Sequence, residues 1–207
     1  MPEVEEFGRR YNVSRETIQK LRIYSDLAKK WSKSLNIVAK STLDHFWSRH
    51  IVDSAAVFQS AGLAAGKWLD IGSGGGLPGL VVAILANELT PKVSVTCVEA
   101  DLRKCEFMRT VARETGTKVG IISRRVEDLP LQRADVITAR AFAPLDKLLP
   151  IIKPHLGPGG VAILHKGENW RSELDLALES WEFTFEKEDN TENPGSVLLK
   201  IGDILSD

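Results

Sequence analysis

An apolar run ends in an acid and opens into glycine at Trp68-Leu69-Asp70-Ile71-Gly72-Ser73-Gly74-Gly75-Gly76-Leu77-Pro78-Gly79. Glycines without a Cβ let the backbone turn sharply and approach a ligand. The apolar run Leu80 to Ala86 behind them can start a helix whose N-terminal amides face that ligand. Two cofactor classes fit. Gly74, Gly76 and Gly79 make a G-x-G-x-x-G, and Glu99 lies about 20 residues further on, as a dinucleotide site asks. In another register, Asp70-x-Gly72-x-Gly74-x-Gly76 is the D-x-G-x-G-x-G pattern of S-adenosylmethionine (SAM) enzymes, in which the acid can face the cofactor's ammonium group. The carboxylate favours this second reading, because it would repel a pyrophosphate. A glycine turn that holds no ligand is the remaining alternative.

Other residues able to do chemistry close later apolar runs. Glu99 is placed to accept from both ribose hydroxyls of a nucleoside, two bonds from one carboxylate. Val126 can lie against an adenine face with Glu127 nearby. Thr138-Ala139-Arg140-Ala141-Phe142-Ala143-Pro144 has neither the D/N-P-P-Y/F of amine methyltransferases nor the Pro-Cys of cytosine-C5 enzymes. Arg140 stands there instead. A guanidinium repels a sulfonium unless it is committed to an acceptor such as a phosphate, a base carbonyl or a carboxylate, or to a structural ion pair. His165-Lys166-Gly167 closes the next run, again with basic character.

These positions need strands to carry them. Apolar runs over 67–71, 93–99, 118–122, 134–139 and 161–165 alternate with helical stretches, which predicts a doubly wound parallel sheet with right-handed crossovers. Runs over 182–186 and 196–201, joined through Thr191-Glu192-Asn193-Pro194-Gly195, predict a terminal antiparallel hairpin. Seven strands with that ending form the Rossmann-like sheet of SAM-dependent methyltransferases, and in an open α/β sheet the ligand lies off the carboxyl ends of the strands. Residues 1–64 read as an N-terminal helical extension before a methyltransferase domain over 65–207. Val4, Phe7 and Tyr11 form one stripe. Ser14 caps a helix carrying Ile18, Leu21, Tyr24 or Ser25, Ala28 and Trp31, and a further helix spans Leu43 to Phe58.

At 207 residues and 43% hydrophobic, the chain can bury one main core with a small appended layer. No apolar run approaches the roughly 20 residues of a membrane span, and the acidic start is unlike a signal peptide. A cytoplasmic protein with no membrane partner is therefore expected. Cys97 and Cys105 lack metal-site spacing, so buried thiols are expected and no metal site. The net charge of -1 hides a segregation: Arg9 to Arg49 holds ten Lys/Arg against three acids, and Glu168 to Asp207 holds three against eleven. A basic N-terminal face suits a polyanion, although any one such run can be a solvated helix face.

Taken together, the chain resembles the RsmG (GidB) family of bacterial small-subunit ribosomal RNA methyltransferases over nearly its whole length. The resemblance rests on Trp31-Ser32-Lys33-x-Leu35-Asn36-Ile37-Val38, Arg49-His50-Ile51-Val52-Asp53-Ser54, the glycine loop ending Gly76-Leu77-Pro78-Gly79, Arg125-Val126-Glu127, Ala139-Arg140-Ala141 and Lys166-Gly167. It implies SAM as cofactor and N7 of a guanine in 16S ribosomal RNA, position 527, as target, within a small subunit or an assembly intermediate. Gly72, Leu77, Val126, Glu127 and Arg140 carry over as SAM-site positions, joining Asp70, Gly74 and Glu99. Arg140 is the expected catalytic residue. Arg49, His50 and Lys166 are the expected substrate contacts, with His50 a positioning or packing group rather than a base. Gly75 and Glu99 depart mildly from the family pattern. Guanine N7 has a free lone pair and no proton to lose, so methyl transfer to it needs alignment and no general base. A non-catalytic SAM- or NAD-binding regulator would leave the basic face and Arg140 without a task, and a small-molecule methyltransferase would need an apolar lid where Lys and Arg stand. The protein is expected to act as a monomer.

Overall fold

The computed structural model describes residues 2–140, 142–190 and 195–206. Strands β1 (Ala65–Ile71), β2 (Lys92–Val98), β3 (Gly120–Ile122), β4 (Ala134–Arg140), β5 (Leu156–Lys166), β6 (Trp181–Asp189) and β7 (Val197–Ser206) form one sheet in the order β3-β2-β1-β4-β5-β7-β6. The first five are parallel, and β7 pairs antiparallel with both β5 and β6. The doubly wound sheet and its terminal hairpin are thus as the sequence predicts, although residues 191–194 of the hairpin's connection lie outside the described residues. The strand order reverses between β1 and β4, the switch point at which open α/β sheets take their ligands.

Helix α4 (Gly79–Leu89) is apolar all round, and Leu80 to Ala86 are buried. A helix of that kind must be covered on both sides. The sheet covers one side, and α1 (Pro2–Tyr11), α2 (Arg15–Trp31) and the segment 35–55 cover the other. Leu21, Tyr24, Ala28, Phe46 and Ile51 share one core with Leu80, Ile84 and the α5 (Leu102–Thr115) residues Phe107 and Met108. Each of the Leu, Ile, Phe and Met side chains contributes about 1.5–3 kcal/mol by leaving water. Ser14 caps α2 as its sequence predicts, its Oγ accepting from the Thr17 amide, while Glu88 at the end of α4 accepts from the Ser14 amide and hydroxyl. Helices α6 (Leu145–Ile152) and α7 (Trp170–Leu178) cover the opposite face of β4 and β5.

The continuous helix expected over 43–58 is not found. Turns lead into a π-helical stretch at Trp47–Val52, and only then does α3 (Asp53–Ala61) begin. A π turn widens the helix by one residue and rotates the facing of the residues after it. Here it turns His50 and Asp53 toward the sheet. The acidic C-terminal segment has a structural account: β6 is the outer strand, and its exposed Glu182, Glu186 and Glu188 discourage pairing with another chain. Cys97 and Cys105 are buried thiols.

Candidate active site

The glycine loop leaves β1 and enters α4 through residues that only glycine tolerates. Gly72, Gly74 and Gly76 have φ of +61°, +55° and +90°, a left-handed region costly for side chains with a Cβ. A Cβ on Gly72 would also run into the Phe142 ring, and one on Gly75 would come within 2.5 Å of Ile37. A Cβ on Gly74 meets only the Gly72 carbonyl, at 3.9 Å. The loop is therefore packed from behind and open at Gly74. From α2, the buried Tyr24 hydroxyl donates to the Gly75 carbonyl at 2.6 Å. The resemblance motif around Leu35-Asn36-Ile37 is thus, at Ile37, a back support for this loop.

Asp70 does not face a ligand. It is 0% exposed, one oxygen accepting from the Thr138 hydroxyl at 2.7 Å and the other from the Gly79 amide at 3.1 Å. Thr138 in turn accepts from the Trp68 indole. The expectation that this acid meets the cofactor's ammonium is corrected: its carboxylate clamps β1, β4 and the start of α4 together. Burial pushes its pKa up to about 6, against the hydrogen bonds from Thr138, Ser73 and Gly79 that favour the charged form. Leu77 and Val126, expected at the cofactor, are buried in two different cores. Glu127 is exposed on the short turn after β3.

Glu99, half-buried just beyond β2, accepts from the Gly74 amide at 2.7 Å through one oxygen and from the Asp101 amide at 2.9 Å through the other. A carboxylate has about four acceptor sites, so these two bonds leave capacity for ribose hydroxyls. Gly72, Gly74 and Glu99 consequently share one edge of the sheet, as predicted, and they fit SAM: an open glycine cradle next to an acceptor aimed across it.

Arg140 ends β4 one strand away. Its Nη2 donates to His50 Nδ1 at 2.9 Å, lies 3.4 Å from the Arg49 carbonyl, and stands 4.0 Å from an Asp53 oxygen. Arginine has no acceptor, so His50 Nδ1 must be unprotonated and Nε2 must carry the hydrogen. That hydrogen points to the Thr42 hydroxyl at 2.8 Å, which donates onward to the Ala39 carbonyl. Burial, then the charges of Arg140 and Arg49, push the His50 pKa down to about 3. Asp53, 1% exposed, also accepts from Asn190 at 3.1 Å. The Arg-His-x-x-Asp spacing is thus a latch in which His50 and Asp53 hold a guanidinium that burial itself disfavours. Both ring nitrogens of His50, expected as a substrate contact and as a positioning or packing group, are thus engaged within the chain, while Arg49 is exposed. The companion residue Ala141 lies outside the described residues.

Lys166 is likewise corrected. Its side chain is 6% exposed, and its ammonium donates to Glu173 at 2.7 Å and to the Ala143 carbonyl at 2.9 Å. Glu173 accepts also from the Leu145 amide at 3.0 Å. This pair ties α7 to the loop after β4 and shapes one wall of a cavity of about 360 Å³ off β4 and β5, lined also by Phe142 and His165. Sequence reasoning assigns no role to Asp53, Thr138, Phe142 or Glu173. For Asp53 the available signal is its fixed distance from His50, three residues on along a helix. The others need partners from distant segments.

A seven-stranded sheet with an open glycine cradle and an acceptor beyond β2 is the architecture of SAM-dependent methyltransferases. Solved structures agree in fold: a SAM-dependent methyltransferase of Methanococcus maripaludis superposes with a TM-score of 0.59 at 16% identity, over 86% of this chain and 91% of that one. The ribosomal protein L11 methylase of Lactobacillus delbrueckii gives 0.58 at 21%, over 72% and 75%. The family described as GidB, rRNA small subunit methyltransferase G, matches residues 17–196, and this chain belongs to it. Relatives named ribosomal RNA small subunit methyltransferase G include one from Ruegeria sp. (strain TM1040), 47% identical over 92% of both chains. Another, from Paramagnetospirillum magneticum, is 40% identical over 97% of this chain and 95% of its own length.

Proposed function

We propose that this protein methylates N7 of a guanine in 16S ribosomal RNA, position 527, from SAM. It would do so as a cytoplasmic monomer acting on a small subunit or an assembly intermediate. The observation that carries the reading is Arg140, a half-buried guanidinium fixed by His50 and Asp53 at the end of β4, next to β1 and its glycine loop. SAM supplies a methyl group on a sulfonium. The glycine loop and Glu99 bind it by backbone approach and by acceptors for its ribose. Asp70 keeps the loop shaped without touching it.

Arg140 joins cofactor and base, its position set by His50 and Asp53. No residue has to remove a proton, which agrees with a neutral His50 whose two nitrogens are both engaged. The N-terminal layer supports RNA binding: Lys29, Lys30, Lys33, Lys40 and Arg49 are exposed, and Arg9, Arg15 and Arg22 edge a groove between α1 and α2. Among the described residues no helix is long and apolar enough to cross a membrane.

The test is transfer of tritiated methyl from SAM to deproteinised 16S RNA and to small subunits, with identification of the labelled nucleoside. 7-Methylguanosine is expected. Label in any other nucleoside, or none in either RNA form, would refute the reading.

A further inference from the structure

Arg140 and His165 are partners in register at the ends of β4 and β5, so their side chains leave the sheet on the same face, about 4.8 Å apart at the backbone. Each carries a buried polar atom with no partner among the described residues: Nη1 of Arg140 and Nε2 of His165. An unmet buried donor or acceptor costs about 1–3 kcal/mol. Two of them side by side, one on the His165 that lines the cavity and one on the Arg140 in register with it, point to a ligand that supplies the missing partners. Burial and the charge of Arg140 push the His165 pKa down to about 3. His165 is therefore neutral and can offer a lone pair, whereas Arg140 can only donate. With the His165 hydrogen on Nδ1, the pair presents a donor on β4 and an acceptor on β5.

Guanine displays, in order along one edge, the N7 lone pair, the O6 acceptor and the N1 hydrogen. The strand ends run in a matching order: the glycine cradle on β1, Arg140 on β4, His165 on β5. We propose that the target guanine lies in the cavity off β4 and β5 with this edge along the strand ends, O6 accepting from Arg140 Nη1 and N1–H donating to His165 Nε2. N7 is then left facing the cradle. Phe142, 37% exposed and now resting on Gly72, is the aromatic wall that turns aside to admit the base and stacks on it. Adenine presents a donor where guanine has O6, and an acceptor where guanine has N1–H, so it opposes both groups. This proposal deepens the guanine-N7 reading and rests on it.

The test uses the unaltered protein and small subunits whose 16S RNA carries guanine, inosine or 2-aminopurine at the target position, with single-turnover rates at saturating SAM. Inosine keeps O6 and N1–H and is expected within about threefold of guanine, since nothing in the proposed contacts reads the 2-amino group. 2-Aminopurine lacks both contacts, and a site built to hydrogen-bond its substrate should slow it by about a hundredfold or more. His165→Leu should slow guanine by roughly tenfold or more, with His165→Gln, which keeps an acceptor, recovering most of the rate and SAM affinity by calorimetry unchanged in both. Equal rates on guanine and 2-aminopurine would overturn the edge-reading while leaving the guanine-N7 assignment standing. A full-rate His165→Leu would do the same. No transfer to guanine in the unaltered protein would overturn both together.

Discussion

Replacing Asp53 by Asn removes one negative charge from the latch and keeps its shape, because an amide oxygen can still accept from Asn190. Arg140 then loses its only carboxylate within 4.0 Å among the described residues. At that separation the Coulomb attraction is about 4 kcal/mol for an effective dielectric constant near 20. Breaking a fully buried pair costs about 3–5 kcal/mol. Arg140 is 22% exposed and keeps His50, so roughly 2 kcal/mol is the expected loss. In a domain of this size that lowers Tm by about 4–8 °C. Scanning calorimetry measures the loss. The double-mutant cycle with Arg140→Met attributes it, because Asp53→Asn in an Arg140→Met background should cost little and the coupling should come to about 2 kcal/mol. A coupling under about 0.5 kcal/mol would refute the claim that Asp53 holds Arg140.

Reversing Lys29, Lys30 and Lys33 to Glu should weaken RNA binding and flatten its salt dependence by about 0.7 log units per lost phosphate contact, with SAM affinity unchanged; an unaltered slope would make this a solvated face. Acid stability carries two opposing signs. His50 and His165, near 3 when folded and about 6.5 unfolded, contribute stability that is full above pH 6.5 and lost as pH falls toward 3, about 1.4 kcal/mol per pH unit each. Asp70, raised to about 6, works the other way, with stability lost as pH rises from about 4 to 6. Denaturant titrations between pH 4 and 6 should therefore show a shallower slope for His50→Gln and a steeper one for Asp70→Asn; parallel curves for all three proteins would show that these groups are not buried as described.

Strand periodicity carries most of the fold, because a parallel sheet needs apolar runs at its centre and helices between them. The glycine loop and Glu99 are legible for the same reason: both close strands that the pattern locates. Lys166 is not, because its fate depends on Glu173, one helix later, and a lysine at a strand end reads alike whether it reaches solvent or a buried carboxylate. Asp70 is ambiguous in sequence because a loop acid can turn outward to a ligand or inward to Thr138, and only the packing of β4 against β1 decides. The π turn at Trp47–Val52 leaves no trace in periodicity, since one extra residue per turn still looks like a helix over so short a stretch.

The central claim is that Arg140, held by His50 and Asp53, acts in methyl transfer rather than only in folding. It is tested most directly by single-turnover methylation of 16S RNA at saturating SAM with Arg140→Lys and Arg140→Ala. Lysine keeps the charge but not the planar set of donors, so the rate should fall even there. Alanine should lower it further, by about 2–4 kcal/mol in transition-state terms. An Arg140→Ala protein that melts cooperatively, binds SAM normally and methylates at the parent rate would contradict the account.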